Sequence, residues 1–267
     1  MSCGLGRPSA TGRSCSPLLR HDFAYRIQPQ RELPGWMCRT AARGDRAVNT
    51  SAITAPLRVL DVGAGPLSSL GTMCHNRPVE LVAVDVLAPE YDATLAALSI
   101  QPHPRTQYAP MEMLAKHFAP QYFDMVHCGN ALDHAQDPFR ALQQMLTIVK
   151  RGHHVVIVSL VNESTAERRG GMHQFDLFLA RNSGHLMISS GESTLIDVDT
   201  RLRKTANTEC KLWRVAGGRY TAITHDECHE ALENRQCRLK CDIFARGRSR
   251  TAKRSRSNKL LGRGRVT

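Results

Sequence analysis

Residues 59–65 read Val-Leu-Asp-Val-Gly-Ala-Gly. An apolar run that reaches Asp61 and passes straight into Gly63, Ala64 and Gly65 describes a buried strand ending in a turn with almost no side chain. Glycine adopts positive φ freely and lacks the Cβ that would keep a ligand off the main chain. Asp61 is placed to help hold that turn. A second carboxylate, Asp85, ends the apolar run "VAVDV" 20 residues after Gly65. An acid there accepts charge-assisted hydrogen bonds from both hydroxyls of a ribose. A full Gly-x-Gly-x-x-Gly would suit a pyrophosphate over a helix N-terminus. Here Pro66-Leu67-Ser68 follows Gly65, and proline removes an N–H. That weakens a phosphate cradle and leaves room for close contact with an uncharged or zwitterionic adenosyl ligand.

A second set of residues offers acid–base chemistry. His134 lies just past the apolar run 122–130, and an imidazole titrates close enough to neutrality to take a proton from an attacking hydroxyl. A packed or turn-stabilising histidine is the competing role. Asp133 either touches the ligand or caps the next helix. His173 follows the fifth strand and is placed to reach a substrate pocket. Asn162 and Glu163 fall on the same rim. His225, Cys228, His229, Cys237 and Cys241 include a Cys-x-x-x-Cys spacing that zinc accepts, but the set matches no standard finger. No metal is expected.

Such residues need a scaffold that brings strand ends together. "LRVLDVG" (57–63), "VELVAVDVL" (79–87), "TQYAP" (106–110), "YFDMVHCGN" (122–130) and "HHVVIVSLV" (153–161) read as strands. Between them, 67–74, 89–100, 111–118 and 137–150 read as helices. In the last, Phe139, Leu142, Met145, Leu146 and Val149 share one face. The Lys150-Arg151-Gly152 turn introduces the fifth strand. This alternation implies an α/β fold with a doubly wound, mostly parallel sheet, whose ligands bind at the carboxyl ends of the strands. Residues 184–190 and 193–199 read as a hairpin around Ser190-Gly191-Glu192, and 221–236 as a helix. The expected domains are an irregular segment over 1–55 with room for one short helix, a ligand-binding domain over 56–200, an extension over 201–245 and a disordered basic tail over 246–267.

At this point the sequence resembles the class I S-adenosylmethionine-dependent methyltransferases. "VLDVGAGPLSSLG" is similar to their first motif and "LVAVDVLAPEY" to their second-strand acid. "YFDMVHCGNALDHAQDP" resembles the fourth-strand motif, and "MLTIVKRGHHVVIVS" the helix, turn and strand after it. The resemblance implies a Rossmann-like seven-strand sheet closed by a C-terminal antiparallel hairpin, which 184–199 would supply. It implies S-adenosylmethionine as cofactor. Asp61 then orients the glycine turn near the methionine amine, Gly63, Ala64 and Gly65 underlie the cofactor, and Asp85 binds ribose. Met111 and Glu112 lie where the family contacts adenine, and Asn130 beside the methionine portion, with Asp133 close by. "NALDHAQDP", "VNES" and "GGMHQFD" look like a bacterial subgroup reading N-A-L-D-H, N-E-G and Y-x-G-L-H-Q-W. Arg169, Phe175 and Ser164 replace its Tyr, Trp and Gly.

The expected reaction is methyl transfer to an O or N atom of a small-molecule acceptor, with His134 and His173 as candidate catalytic residues. One alternative is an RNA methyltransferase steered by the basic tail; Asn130-Ala131-Leu132-Asp133 lacks the aromatic platform of an N-P-P-Y motif. Another is an adenosyl-binding protein without catalysis. A nicotinamide oxidoreductase would want a Tyr-x-x-x-Lys site, which is missing.

Charge bears on partners. The net charge is +12, yet residues 246–267 hold nine basic residues and no acid. The charge therefore sits at the ends, and the tail offers salt-sensitive affinity for nucleic acid. Nine scattered cysteines show no disulfide framework, which fits a reducing, cytoplasmic setting. No apolar run reaches the roughly 20 residues of a membrane span. The Arg- and Ser-bearing N-terminus weakly suggests a transit peptide.

Overall fold

The computed structural model describes residues 31–45, 55–191, 193–216, 219–232 and 235–246. The first 30 residues and the tail beyond 246, with the expectations placed on them, lie outside the described residues.

Four apolar runs and one short exposed segment form parallel strands. They are β1 (Leu57–Val62), β3 (Arg77–Asp85), β4 (Gln107–Tyr108), β5 (Phe123–Gly129) and β6 (Val149–Leu160), side by side in the order β4-β3-β1-β5-β6. The chain winds outward from β1 in both directions, so the switch point lies between β1 and β5, where open α/β sheets bind ligands. Alternate side chains go to opposite faces. Leu60, Val62, Val126, Cys128, Val155 and Ile157 bury one face. Against it packs α4 (Pro138–Ile148), through Leu142, Met145 and Ile148. Asp137 caps this helix, its carboxylate accepting the Arg140 amide at 2.9 Å. Val59, Leu81, Met125 and Val156 bury the other face against Met37, Cys38 and Ala41 of α1 (Gly35–Asp45). The helices α2 (Ala88–Ala97) and α3 (Leu114–His117) follow β3 and β4, as the sequence predicts.

The antiparallel end of the sheet comes from an unexpected part of the chain. The pair β8 (Leu186–Ser189) and β9 (Leu195–Asp197) is the expected hairpin, but it joins β7 (Asp176–Leu179) in a separate three-stranded sheet. The central sheet continues instead through β12 (Cys237–Ala245), β10 (Ala206–Ala216) and β11 (Arg219–Ile223), with β12 inserted antiparallel between β6 and β10. Strict alternation of buried and half-buried residues along β12 is the signature of that role. Counting β10 and β12 gives a seven-strand body. The additions are β11 and β2 (Met73–Cys74), which brings the sheet to nine strands.

Three local expectations change. Residues 67–74 form no helix: Leu67 and Leu70 are buried in turns, and Met73 pairs through its N–H and C=O with Arg31 and Leu33. A Cβ on Gly71 would run into the Arg31 carbonyl, so the glycine lets the two extended segments meet. The turn at 150–152 is absorbed into β6 as an irregularity, with Gly152 at φ +78° and a register shift opposite Phe123–Met125. The helix expected over 221–236 is α7 (His225–Leu232), because its first residues belong to β11.

The cysteines are also not all free. Cys210 and Cys241 are directly opposed on β10 and β12 and form a disulfide, and a second joins Cys228 of α7 to Cys237 at the start of β12. Cys38, Cys74 and Cys128 are buried thiols. Pairing Cys228, Cys237 and Cys241 in disulfides takes three of the five residues and removes that set as a zinc site. Among the described residues, no helix is long and apolar enough to cross a membrane.

Candidate active site

The turn after β1 is fixed by its neighbours on both sides. The amides of Gly63 and Ala64 both donate to the Val84 carbonyl of β3, at 2.9 and 3.1 Å. Gly63 and Gly65 each sit at φ +67°. A Cβ on Gly63 would overlap the Ala131 methyl, so glycine there lets the turn lie against the chain leaving β5. Gly65 differs: among the described residues nothing lies within 4 Å of where its Cβ would stand.

Asp85 straps this turn. Its Oδ2 accepts the Gly65 amide at 3.0 Å and its Oδ1 the Leu87 amide at 2.9 Å. Thr106 Oγ1 donates to the Gly65 carbonyl at 2.8 Å. Burial, with the Asp85 charge behind it, pushes the Tyr91 hydroxyl up to about 12. A carboxylate has about four lone-pair positions, so Asp85 retains capacity for a ribose beyond these two amides.

Asp61 works inside the fold. It is buried, accepts Ser68 Oγ at 2.6 Å and lies 2.8 Å from His127 Nδ1. Ser68 Oγ in turn accepts the Leu70 amide at 3.1 Å. Asp61 thus holds the chain after the glycines through Ser68. Sequence reasoning missed His127, because Asp61 and His127 meet as register partners on neighbouring strands, and spacing along the chain does not reveal register.

A cleft of about 580 Å³ opens beside the turn, lined by Gly63, Asp85, Tyr108, Met111, Glu112 and His134 among others. That volume is within the roughly 300–1,000 Å³ of small-molecule sites. Met111 and Glu112 are both on its wall. The Glu112 carboxylate, however, accepts the Gln136 and Asp137 amides at 2.8 and 3.3 Å, so its oxygen Oε1 fixes the approach to α4. Asn130 faces a second cleft of about 870 Å³, shared with Trp36, His127, Glu163, Arg235 and Arg238. It sits at φ +53°, and its Oδ1 accepts the Leu160 amide at 3.2 Å and Arg238 at 3.3 Å. The two clefts flank the end of β5, and the structure does not bring Asn130 into the cleft of Asp85.

The histidines predicted from sequence do converge. His134 ends a short 3₁₀ turn, Leu132–His134, and His173 lies 39 residues further on. His134 Nε2 is 3.1 Å from His173 Nδ1, which is 2.7 Å from Asp133 Oδ2. His134 Nε2 is 3.4 Å from the same oxygen. Asp133 is fully buried, and its carbonyl accepts the Gln174 and Phe175 amides at 3.0 and 3.3 Å, which pins the segment of His173 to the turn. Burial holds the His134 imidazole below its ordinary value, against the opposing charge of Asp133.

These residues fit an adenosyl sulfonium. Gly63 leaves main chain bare on the cleft wall, Asp85 keeps acceptor capacity there, and Tyr108 and Met111 give apolar wall. A family model described as a methyltransferase domain matches residues 30–239. The chain is similar to the solved YcgJ protein of Bacillus subtilis, at 16% identity and a TM-score of 0.46 over 85% of this chain and 100% of that one. It is similar to S-adenosylmethionine-dependent methyltransferases of Thermotoga maritima (11% identity, TM-score 0.44, 85% and 93% covered) and Mesorhizobium loti (16%, 0.40, 73% and 93%). No curated protein matches. The family match spans the glycine turn, the strand-end acid and both histidines, and the chain belongs to the methyltransferase-domain family as a class I S-adenosylmethionine-dependent methyltransferase.

Proposed function

We propose that the enzyme methylates an oxygen or nitrogen of a small-molecule acceptor, and that the Asp133–His134–His173 cluster receives the acceptor at the edge of the cofactor cleft. The observation that carries this reading is the convergence of the two imidazoles and a buried carboxylate beside a wall of that cleft. When bound, S-adenosylmethionine supplies an electrophilic methyl group with its own leaving group. The protein's task is then orientation, together with help for the proton of a hydroxyl or amine. Gly63, Ala64 and Gly65 form the floor, Asp85 holds the ribose, Met111 flanks the adenine, and Glu112 keeps that wall in place. Asp61 and Asn130 shape the turn and the end of β5. His134, whose imidazole burial holds below its ordinary value, lines the cleft where the acceptor arrives. Asp133 orients His173.

The test is incubation with methyl-labelled cofactor and lysate fractions of small metabolites and of RNA. Label enters the small-metabolite fraction. His134→Ala and His173→Ala lower turnover by about 10²–10⁴, while cofactor affinity stays close to that of the parent. Label in RNA alone overturns the acceptor class, and full turnover in both variants removes the histidines from the reaction.

A further inference from the structure

We propose that Asp133, His134 and His173 form a three-ligand site for a divalent cation of the zinc class, with its remaining position open to the acceptor. This deepens the function proposed above and rests on it for the identity of the fourth ligand.

The donor geometry comes first. Asp133 Oδ2, His173 Nδ1 and His134 Nε2 are separated by 2.7, 3.1 and 3.4 Å. Zinc bonds of about 2.0–2.1 Å in a tetrahedron place neighbouring ligand atoms about 3.3 Å apart. The three atoms therefore span one face of such a tetrahedron with small adjustments.

Hydrogen bonding accounts for this triangle poorly. A ring nitrogen carries either one hydrogen or one lone pair. If His173 Nδ1 donates to Asp133, its single hydrogen lies along that 2.7 Å line, and His134 Nε2 is left against a nitrogen already engaged. If His134 Nε2 carries the hydrogen and donates to His173 Nδ1 at 3.1 Å, that nitrogen has no hydrogen left and its 2.7 Å contact sets it against a carboxylate oxygen. A cation uses all three lone pairs at once.

The carboxylate also wants a counter-charge. Asp133 has no exposed surface, and its Oδ1 has no hydrogen-bond partner among the described residues. Buried ionised groups are paired or coordinate metals.

The site is built, not incidental to a surface. Two ligands are consecutive on the 3₁₀ turn, and the third is tied to it by the backbone bonds from Gln174 and Phe175 to the Asp133 carbonyl. Such support holds ligands in register. Two imidazoles and one carboxylate suit zinc, cobalt or nickel over magnesium and calcium, which prefer all-oxygen shells. Three protein ligands with an open position describe a catalytic site more than a structural one. His134 and His173 retain about a quarter and a fifth of their side-chain surface, and His134 lines the cofactor cleft. The open position thus admits an acceptor with a metal-binding heteroatom, such as a hydroxyl or phenol.

The full-length, chelator-treated protein is titrated with Co²⁺ and followed by its visible absorption. The expected result is saturable uptake of about one ion per chain, displaced by Zn²⁺ and not by Mg²⁺. His134→Ala, His173→Ala and the near-isosteric His173→Gln each weaken uptake on the order of 100-fold, while the exposed control His229→Ala changes nothing. A second measurement needs no variant: Zn²⁺ raises the melting temperature of the parent protein by mass action. Absence of saturable Co²⁺ uptake and of any Zn²⁺ shift, or uptake unchanged in properly folded histidine variants, overturns the site. A chain that transfers methyl groups without taking the ion refutes the site and leaves the proposed function standing. A chain that takes the ion but methylates no small molecule does the reverse.

Discussion

The Gly65 amide and the Asp85 carboxylate meet across 3.0 Å, so the acid at the end of β3 holds the glycine turn beside the cleft it lines. In the proposed function one side chain thereby shapes the turn and also accepts from the ribose. Asp85→Ala removes both roles. We expect cofactor affinity to fall by about 1.5–3 kcal/mol, the range for hydrogen bonds to a charged group. Calorimetric titration reads it directly, and equal affinities in mutant and parent would take Asp85 out of the site.

The two glycines of the turn should fail in different ways. Gly63→Ala meets the Ala131 methyl and a left-handed backbone together, and should lower folding stability by about 2–5 kcal/mol. Gly65→Ala has open space, so its stability loss should be limited to about 1–2 kcal/mol from the backbone alone. It nevertheless puts a methyl on the open side of the turn, where under the proposed function it should weaken cofactor binding. Urea midpoints and calorimetry on the two variants separate these effects; an equally destabilised pair would show that the contact with Ala131 is unimportant.

The disulfides close loops of different length. Cys210–Cys241 spans 31 positions and Cys228–Cys237 spans 9. Chain-entropy reasoning gives about 3–4 kcal/mol for the longer loop and about 2–3 kcal/mol for the shorter. Denaturant unfolding of Cys210→Ser and Cys228→Ser should reproduce that order. Titration of the native protein with a thiol reagent should find the two bridges unreactive until a reductant is added.

Glu163 gives a pH signature. Burial raises its carboxyl above the ordinary 4.5, and Asp133 adds to this, while His173, Arg235 and Arg238 oppose it. A carboxyl whose folded value is raised binds more protons in the native state than in the unfolded one. Its contribution to stability is therefore greatest below the unfolded value and declines as pH climbs from 4.5 through the raised value. Glu163→Gln should flatten this decline in denaturant titrations as pH rises above 4.5. An identical slope in the variant would show that another group sets it.

Much of this was legible in the sequence, and the limits have physical causes. Parallel strands buried on both faces are near-continuous apolar runs, so β1, β3, β5 and β6 were readable with α4 between the last two. The glycine turn and Asp85 were readable because backbone geometry demands those residue types. Partnerships across the sheet were not. Asp61 finds His127, and Cys210 finds Cys241, only once strand register is known. Asn130 carries a suitable side chain at a suitable strand end, yet its positive φ and its bond to the Leu160 amide turn it to the second cleft. His134 and His173 were each suspected, but nothing in their spacing announced that the chain returns to set them 3.1 Å apart.

The placement of β12 between β6 and β10 has a consequence for biogenesis. A ribosome delivers β6 long before β12, and until residues 237–245 emerge from the exit tunnel the β6 edge is bare and β10 has no neighbour on that side. The nascent chain must wait, open-edged, for its late strand, and this interval is when a chaperone would find it.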